Sequence, residues 1–139
     1  MNNNTNIVGK VSETRVLLWC IEHNIVVSIP YGEKAKYDQI WDINGKLIRV
    51  QVKTSRYNAT NETIEFNCYS VSNGKKYFYT KADIDYFATW FDGNVYLISV
   101  DECNTTKKLR ISDSSGTAKY SKHNNWIKNY YAEDVIVSI

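Results

Sequence analysis

The chain has 139 residues, a formal net charge of +2 and 23% charged residues. This length fits one domain with its own core, and no stretch approaches the ~18 apolar residues of a membrane span. Cys20, Cys68 and Cys103 lie far apart and form no Cys-x-x-Cys unit. They predict buried thiols of a cytoplasmic protein and argue against a zinc site.

The first part of the chain predicts a helix followed by a strand. Residues 1–6 lack the basic and apolar parts of a signal peptide and predict a disordered tail in front of a single domain of residues 7–139. Apolar residues recur at helical spacing from Lys10 to His23, and a nearly all-apolar strand follows over residues 25–29. The helical stripe consists of Val11, Thr14, Leu18 and Ile21.

A β-hairpin is the strongest local prediction. Two alternating runs, residues 37–43 and 46–53, flank Asn44-Gly45, and Asn-Gly is typical of a two-residue type I′ turn. Such a turn fixes the register of the two strands. Asp38 should therefore face Gln51.

The two faces of this hairpin differ in chemistry. Lys53 lies on the same face as Asp38 and Gln51, because side chains alternate along a strand. The register also pairs Lys36 with Lys53, so that either the strand diverges there or a phosphate lies between the two ammonium groups. A cross-strand polar pair alone would be ordinary on a solvated sheet face, but a carboxylate, a carboxamide and an ammonium beside an apolar face suit a metal-and-base site. The apolar face carries Tyr37, Trp41, Ile48, Val50 and Val52.

The rest of the chain predicts further short elements without repeats. They are a strand over residues 62–69, a turn at Asn73-Gly74, a capping box for a short helix at Thr80-x-x-Asp83, a second hairpin from residues 86–91 and 95–100, a short strand over 109–112 and a loop over 112–121. Residues 126–134 fit either a helix or irregular structure.

Basic residues are concentrated near the C-terminus. Between Asn104 and Tyr131 the chain has six lysines and arginines against a single acid, Asp113. This segment could bind a phosphate backbone or could simply be a solvated surface. Burial is favoured over base contacts for the aromatic residues of the same segment. The basic residues are Lys107, Lys108, Arg110, Lys119, Lys122 and Lys128.

The hairpin pattern resembles the PD-(D/E)xK nuclease superfamily, whose signature is an acid on one strand and an acid-x-Lys triplet on the next. Asp38 stands in the first place and Gln51-Val52-Lys53 in the triplet, with Tyr37 where the motif has proline. Together with Gly9–Glu13 and Tyr79–Ala88, the order of elements resembles the branch of a group I intron-encoded homing endonuclease. In that branch Gln replaces the triplet acid.

This resemblance implies an α/β fold with a restriction-endonuclease-like core, a mixed β-sheet with an αβββ opening, flanked by helices. It also implies a Mg²⁺-dependent endodeoxyribonuclease, with Mn²⁺ as a possible substitute, that cuts double-stranded DNA at specific sites as a homodimer or homotetramer. The implied metal ligands are Asp38, Gln51, the carbonyl of Val52, and Glu13. Lys53 joins Asp38, Gln51 and Glu13 as the implied catalytic set. The expected DNA contacts are Lys36, Arg49, Lys107, Lys108 and Arg110.

Three other functions remain open from the sequence. A junction-resolving or repair nuclease would use the same site on a different substrate. A retired nuclease that only binds DNA or a protein would explain Gln51, although Asp38, Lys53 and Glu13 argue against it. A His-dependent nuclease at His123 lacks a partner, because the other histidine, His23, is a hundred residues away in sequence at a helix end.

Overall fold

The structure is a computed structural model that describes residues 4–112 and 125–139. Its regular elements alternate along the chain as expected for an α/β protein. In order they are α1 (Thr5–Glu22), β1 (Val26–Ser28), β2 (Gln39–Ile43), β3 (Lys46–Val52), β4 (Arg56–Asn58), β5 (Thr63–Asn67), β6 (Tyr69–Ser72), β7 (Lys75–Phe78), β8 (Tyr86–Phe91), β9 (Asn94–Ser99), β10 (Thr106–Arg110) and α2 (Ala132–Val135). Short 3₁₀ helices cover Val100–Glu102, Ile127–Tyr130 and Ile136–Ser138.

The central sheet has five strands in the order β1-β2-β3-β8-β9. The pair β3–β8 is parallel and its other pairs are antiparallel, so the sheet is mixed and the predicted αβββ opening is confirmed. The predicted hairpin register is also confirmed, because Trp41 pairs with Ile48 and Gln39 with Val50. Asn44 and Gly45 have φ values of 53° and 91°, as a type I′ turn requires.

The two faces of the central sheet are covered differently. On one face, α1 and α2 pack over a core that includes Trp41, Val50 and Leu97. On the other face, a three-stranded sheet of order β10-β5-β4 takes the place of the expected helices. Its Phe66 packs with Phe87 of β8, with ring centroids 5.5 Å apart. The alternating apolar residues of β5 produce a sheet with one buried face, which suits this role.

Helix α1 begins earlier than the sequence predicts. The Asn4 side chain accepts a hydrogen bond from the N–H of Asn6 at 2.9 Å and thereby caps the helix. Thr5 and Asn6 are consequently helical, which corrects the predicted tail of residues 1–6; residues 1–3 of that tail lie outside the described residues. At the other end, Asn24 has a φ of 58° and ends the helix in the left-handed conformation.

The predicted apolar stripe of α1 faces away from the sheet. Val16, Trp19 and Cys20 are the buried residues of the helix. Leu18 is 54% exposed and Ile21 is 62% exposed, on the opposite side. The helix therefore has two apolar faces, of which the protein's own core covers one.

The later elements follow the predicted order, but the strand predicted over residues 109–112 lies earlier, as β10 (Thr106–Arg110). The second hairpin is present as β8 and β9. Asp83 Oδ2 accepts from the N–H of Thr80, and Thr80 Oγ1 accepts from the N–H of Ala82. Only one turn forms, because the chain then enters β8 through the buried Ile84. The single predicted strand over residues 62–69 is divided into β5 and the start of β6. Most of the predicted loop over residues 112–121 lies outside the described residues. Within the described residues, no helix is long and apolar enough to span a membrane.

Candidate active site

Asp38 lies where the chain enters β2 and is tied to β3. Its N–H donates to the carbonyl of Val50 at 2.9 Å, and its Oδ2 accepts the N–H of Val52 at 2.9 Å. The terminal amide of Gln51 lies 3.2 Å from Asp38 Oδ2 and 2.8 Å from the carbonyl oxygen of Lys36. Because both neighbours are acceptors, the nitrogen of the amide occupies this position. The hairpin thus brings Asp38 and Gln51 together.

Buried polar contacts attach α1 beside this pair. Gln39 is 1% exposed, and its Nε2 donates to the carbonyl of Glu13 at 3.1 Å. Trp41 Nε1 donates to Gln39 Oε1 at 3.0 Å, so both ends of the Gln39 amide are satisfied. The hydroxyls of Ser12 and Thr54 are 2.6 Å apart and form a second link between helix and sheet. These contacts hold Glu13 near Asp38.

The environment of Asp38 opposes its negative charge. The pKa of Asp38 is raised to about 6, chiefly by burial and also by the nearby Glu13 carboxylate. The hydrogen bond from Val52 and the charge of Lys53 lower it, but by less than burial raises it. A carboxylate held in this way binds a proton or a cation more readily than an exposed one does.

Lys53 is fixed in both its main chain and its side chain. Its N–H donates to the carbonyl of Ala88 at 2.8 Å, and its own carbonyl accepts from Thr89 Oγ1 at 2.7 Å. Its Nζ donates to the carbonyl of Tyr69 at 2.8 Å and lies 5.3 Å from the centroid of the Tyr79 ring. Burial lowers the pKa of Lys53, while the charge of Asp38 raises it. The ammonium therefore releases a proton more easily than a solvated lysine.

The donor atoms around Asp38 suit a hard cation. The Glu13 carboxylate lies close enough to Asp38 to raise its pKa. The Gln51 amide would offer a neutral oxygen after rotation, and the Val52 carbonyl would offer another. Mg²⁺ takes oxygen ligands and keeps several waters, so few protein donors are needed. In the described ranges, no group of three or more His, Cys, Asp or Glu side chains could hold a metal ion. An oxygen-donor set of this kind suits a divalent cation that prefers oxygen ligands.

Comparisons with known proteins identify the family and the fold. A protein-family model described as PD-(D/E)XK endonuclease matches residues 3–133. The chain belongs to this family. The structure of a bacterial homing endonuclease, I-Ssp6803I, superposes with a TM-score of 0.77 at 17% identity, covering 97% of this chain and 93% of that one. This similarity confirms the restriction-endonuclease-like fold. No curated protein gives a significant match.

In this endonuclease Lys36 does not face Lys53. Strand β2 begins only at Gln39, so the chain diverges from β3 before it reaches Lys36. The Lys36 ammonium instead lies 4.0 Å from the centroid of the Tyr77 ring. Of the two explanations that the sequence left open for the facing lysines, the structure shows divergence.

Arg49 forms an ion pair within the fold. Its Nη2 lies 3.1 Å from Asp85 Oδ1, and both its Nε and its backbone N–H donate to Asp85 Oδ2. Two further guanidinium donors bind the carbonyls of Lys81 and Ala82. These bonds join β3 to the turn before β8, and contact of DNA with Arg49 stays a prediction.

The basic segment near the C-terminus is only partly accessible. Lys107 is 6% exposed; its Nζ donates to Asn125 Oδ1 at 2.9 Å and lies 3.8 Å from Glu102 Oε1, so it is not available as a DNA contact. Arg110 is half-buried, and its guanidinium carbon lies 5.7 Å from the Trp126 ring centroid. Lys108 is exposed. Lys119 and Lys122 lie outside the described residues, and contact of DNA with Lys36, Lys108 and Arg110 stays a prediction.

Sequence reasoning missed three groups around the site. Gln39 points to the buried face of the hairpin, and no sequence pattern shows that it joins α1 to the hairpin. Tyr69 and Tyr79 reach Lys53 from a distant part of the chain. The Asn73-Gly74 turn was a usable signal, because the residues on its two sides form the antiparallel pair β6–β7.

The burial of Asp38 predicts a stability that depends on pH. Between the ordinary aspartate value of 3.8 and about 6, the folded chain binds a proton that the unfolded chain has lost, so stability falls as pH rises. Asp38→Asn retains an acceptor for the Val52 N–H and cannot ionise. Its melting temperature without metal should match the wild type near pH 4 and exceed it above pH 6.

The measurement is thermal unfolding in EDTA between pH 4 and 8. Asp101→Asn, which changes an exposed aspartate, is the control and should follow the wild-type pH trend. Adding Mg²⁺ at pH 7.5 should raise the melting temperature of the wild type and not that of Asp38→Asn. A constant difference between the two proteins at all pH values would contradict the burial argument.

Proposed function

We propose that this PD-(D/E)XK endonuclease is a Mg²⁺-dependent enzyme that cuts double-stranded DNA at specific sites. The observation that carries the proposal is the convergence of Asp38, Gln51 and Lys53 beside Glu13. Three elements separated in sequence contribute to it, and the buried Gln39 is used to hold them together. A solvated polar patch would not need this support.

The protein groups divide into cation ligands and a proton-handling group. Asp38, Glu13, the Gln51 oxygen and the Val52 carbonyl would hold one Mg²⁺. The ion would supply Lewis-acid stabilisation of the charge that builds on the scissile phosphate. Lys53 would orient the attacking water, accept its proton or donate to the developing negative charge, and its lowered pKa suits each of these roles.

The first test is cleavage of supercoiled plasmid, genomic DNA and a four-way junction, in Mg²⁺, Ca²⁺ or EDTA. The wild type should cut plasmid into discrete bands in Mg²⁺, and neither Ca²⁺ nor EDTA should support cutting. Asp38→Ala and Lys53→Ala should each lose at least about 10³-fold in rate and keep DNA binding, because both groups act on the transition state.

Each alternative function has its own outcome in this assay. Cleavage of the junction alone would identify a resolvase, and binding without cleavage would identify a retired nuclease. Lys46→Ala, at an exposed turn on β3, is the control and should cut normally. Wild-type rates in either active-site variant would show that the assigned residues are not catalytic.

A second prediction concerns Gln51. Its amide nitrogen faces Asp38, so the amide must rotate to present its oxygen to a cation and must give up two hydrogen bonds. Gln51→Glu would add a charged oxygen ligand and should lower the Mg²⁺ concentration for half-maximal rate about tenfold. Gln51→Ala should raise that concentration. Identical metal titrations for all three proteins would remove Gln51 from the ligand set.

We also propose that the endonuclease acts as a homodimer or a higher oligomer. One domain with one metal site cuts one strand, and a two-fold axis presents a second site to the antiparallel strand. The outer face of α1 is suited to such pairing. Its residues Ile7, Val11, Thr14, Leu18 and Ile21 are spaced by four and three residues in alternation, as in a coiled-coil seam.

Exposure at this seam is high for apolar side chains. Ile7 is 60% exposed and Val11 is 44% exposed, beside a groove of about 450 Å³. If two copies of α1 packed against each other along this seam, each helix would bury the exposed apolar side chains of the other. The second hairpin and the C-terminal aromatic residues are less suited to pairing, because Phe87 and Tyr96 are buried and Tyr131 packs on Tyr96.

Leu18→Glu should therefore convert the protein to a monomer. A charged residue at the centre of the seam cannot be desolvated against its symmetry mate. Light scattering at micromolar concentration should report a dimer or tetramer for the wild type and a monomer for the variant, which should nick plasmid without linearising it. Val137→Glu, at a position that is 84% exposed outside the seam, is the control. A wild-type protein that is monomeric with and without DNA and still makes double-strand breaks would contradict the proposal.

A further inference from the structure

The strands β6 and β7 form a ribbon of their own, Tyr69–Phe78, apart from both larger sheets. Every residue from Val71 to Phe78 is exposed, so the protein core covers neither face of the outer ribbon. Asn73 and Gly74 have φ values of 51° and 75°, which again indicates a tight turn at the tip. An isolated two-stranded ribbon is of marginal stability in water. The outer part of this ribbon contributes no side chain to the protein core, so packing does not explain its length.

The ribbon has one polar and one more apolar face. Tyr69 pairs with Phe78 and Val71 with Lys76 on the apolar face, where the Lys76 ammonium lies 4.7 Å from the Tyr69 ring centroid. The opposite face carries hydroxyl and ammonium donors, and the ribbon contains no acidic residue. The residues of this polar face are Ser70, Ser72, Lys75 and Tyr77.

The base of the ribbon touches the candidate active site. The carbonyl of Tyr69 accepts the hydrogen bond from Lys53 Nζ at 2.8 Å. Lys36, two residues before Asp38, stacks on Tyr77 of the polar face at 4.0 Å. Tyr77 is in turn held by a hydrogen bond from its hydroxyl to Asp83 Oδ1 at 3.0 Å. A molecule bound along the ribbon would therefore extend to Lys53 and Lys36 at the candidate active site.

We infer that the ribbon Tyr69–Phe78 inserts into the major groove of duplex DNA and reads base edges there with Ser72 and Lys75. This inference rests on the proposed function and names the surface through which that site would select its target. Lys76 and Lys36 contact the flanking phosphates, and the exposed charge of the ribbon is complementary to DNA.

The dimensions of the ribbon support this occupant. Two strands about 4.8 Å apart, with their side chains, fit the roughly 12 Å width of the major groove. From Tyr69 to the tip the ribbon extends about 13–17 Å, which exceeds the roughly 8.5 Å depth of the groove. Serine hydroxyls and a lysine ammonium are donors that base edges accept, the lysine preferring guanine O6 and N7.

The chain provides a matched control for this ribbon. Asn44-Gly45-Lys46 repeats the sequence Asn73-Gly74-Lys75, and both lysines are exposed beside a tight turn. Lys46 lies seven residues along β3 from Lys53, about 23 Å away in an extended strand. Lys75→Ala and Lys46→Ala thus make the same change at the same kind of turn, one on the ribbon and one away from it.

The test measures binding in EDTA, so that it does not depend on cleavage. Duplexes are first selected from a randomised library with the wild type, and their affinities are compared with that of an unselected duplex. Lys75→Ala and Ser72→Ala should each bind the selected duplex about tenfold more weakly and the unselected one less than threefold more weakly. Lys46→Ala should bind both as the wild type does.

Dimethyl sulfate footprinting identifies the groove, because guanine N7 lies in the major groove and adenine N3 in the minor groove. The wild type should protect guanine N7 positions, and Lys75→Ala should lose that protection. Any of three results would overturn the inference: equal affinities for Lys75→Ala and the wild type, protection of adenine N3 alone, or failure to enrich any sequence. Failure of the proposed function would look different. In that case the wild type would bind DNA normally but would not cleave it in Mg²⁺.

Discussion

The tight turn at Asn44-Gly45 determines where the groups of the candidate active site lie. It pairs Trp41 with Ile48 and so places Asp38 beside Gln51. A shift of one residue would reverse the two faces of β2 or β3, and would expose a fully buried side chain such as Trp41 or Val50. The packing of the core therefore fixes the strand register. The register in turn fixes the positions of Asp38 and Gln51 on the opposite side of the sheet.

Helix α1 connects this core to the rest of the proposed mechanism. Its inner face packs on the sheet through Val16, Trp19 and Cys20, its edge holds Glu13 beside Asp38, and its outer face exposes the seam through Leu18. A rotation of the helix would disturb all three regions. The bonds of Gln39 to Glu13 and of Ser12 to Thr54 fix that rotation, which explains why polar groups are retained in an otherwise apolar contact.

The buried ionisable groups of the candidate site lower the stability of the fold. Asp38 is buried close to the carboxylate of Glu13, and Lys53 is buried far enough for its pKa to fall. Hydrophobic residues of similar size would fold more stably at these positions. Buried charges without full compensation are expected where a cation or a substrate binds, because the bound ligand supplies the opposite charge. The ribbon of β6 and β7 presents the same kind of conflict at the surface, as an exposed element whose partner is not the protein itself.

The sequence by itself determined what is local: α1, the hairpin, its register and hence the pairing of Asp38 with Gln51, because a turn of two residues and a period of two leave little freedom. It also indicated the family through the triplet at Lys53. The tertiary structure alone decided which face of α1 is buried, since both faces are apolar. It also decided that Lys107 is buried and that Arg49 forms an internal ion pair, since exposed and buried cations look alike in sequence. The ribbon's approach to Lys53 depends on contacts between residues distant along the chain, and no local pattern encodes those contacts.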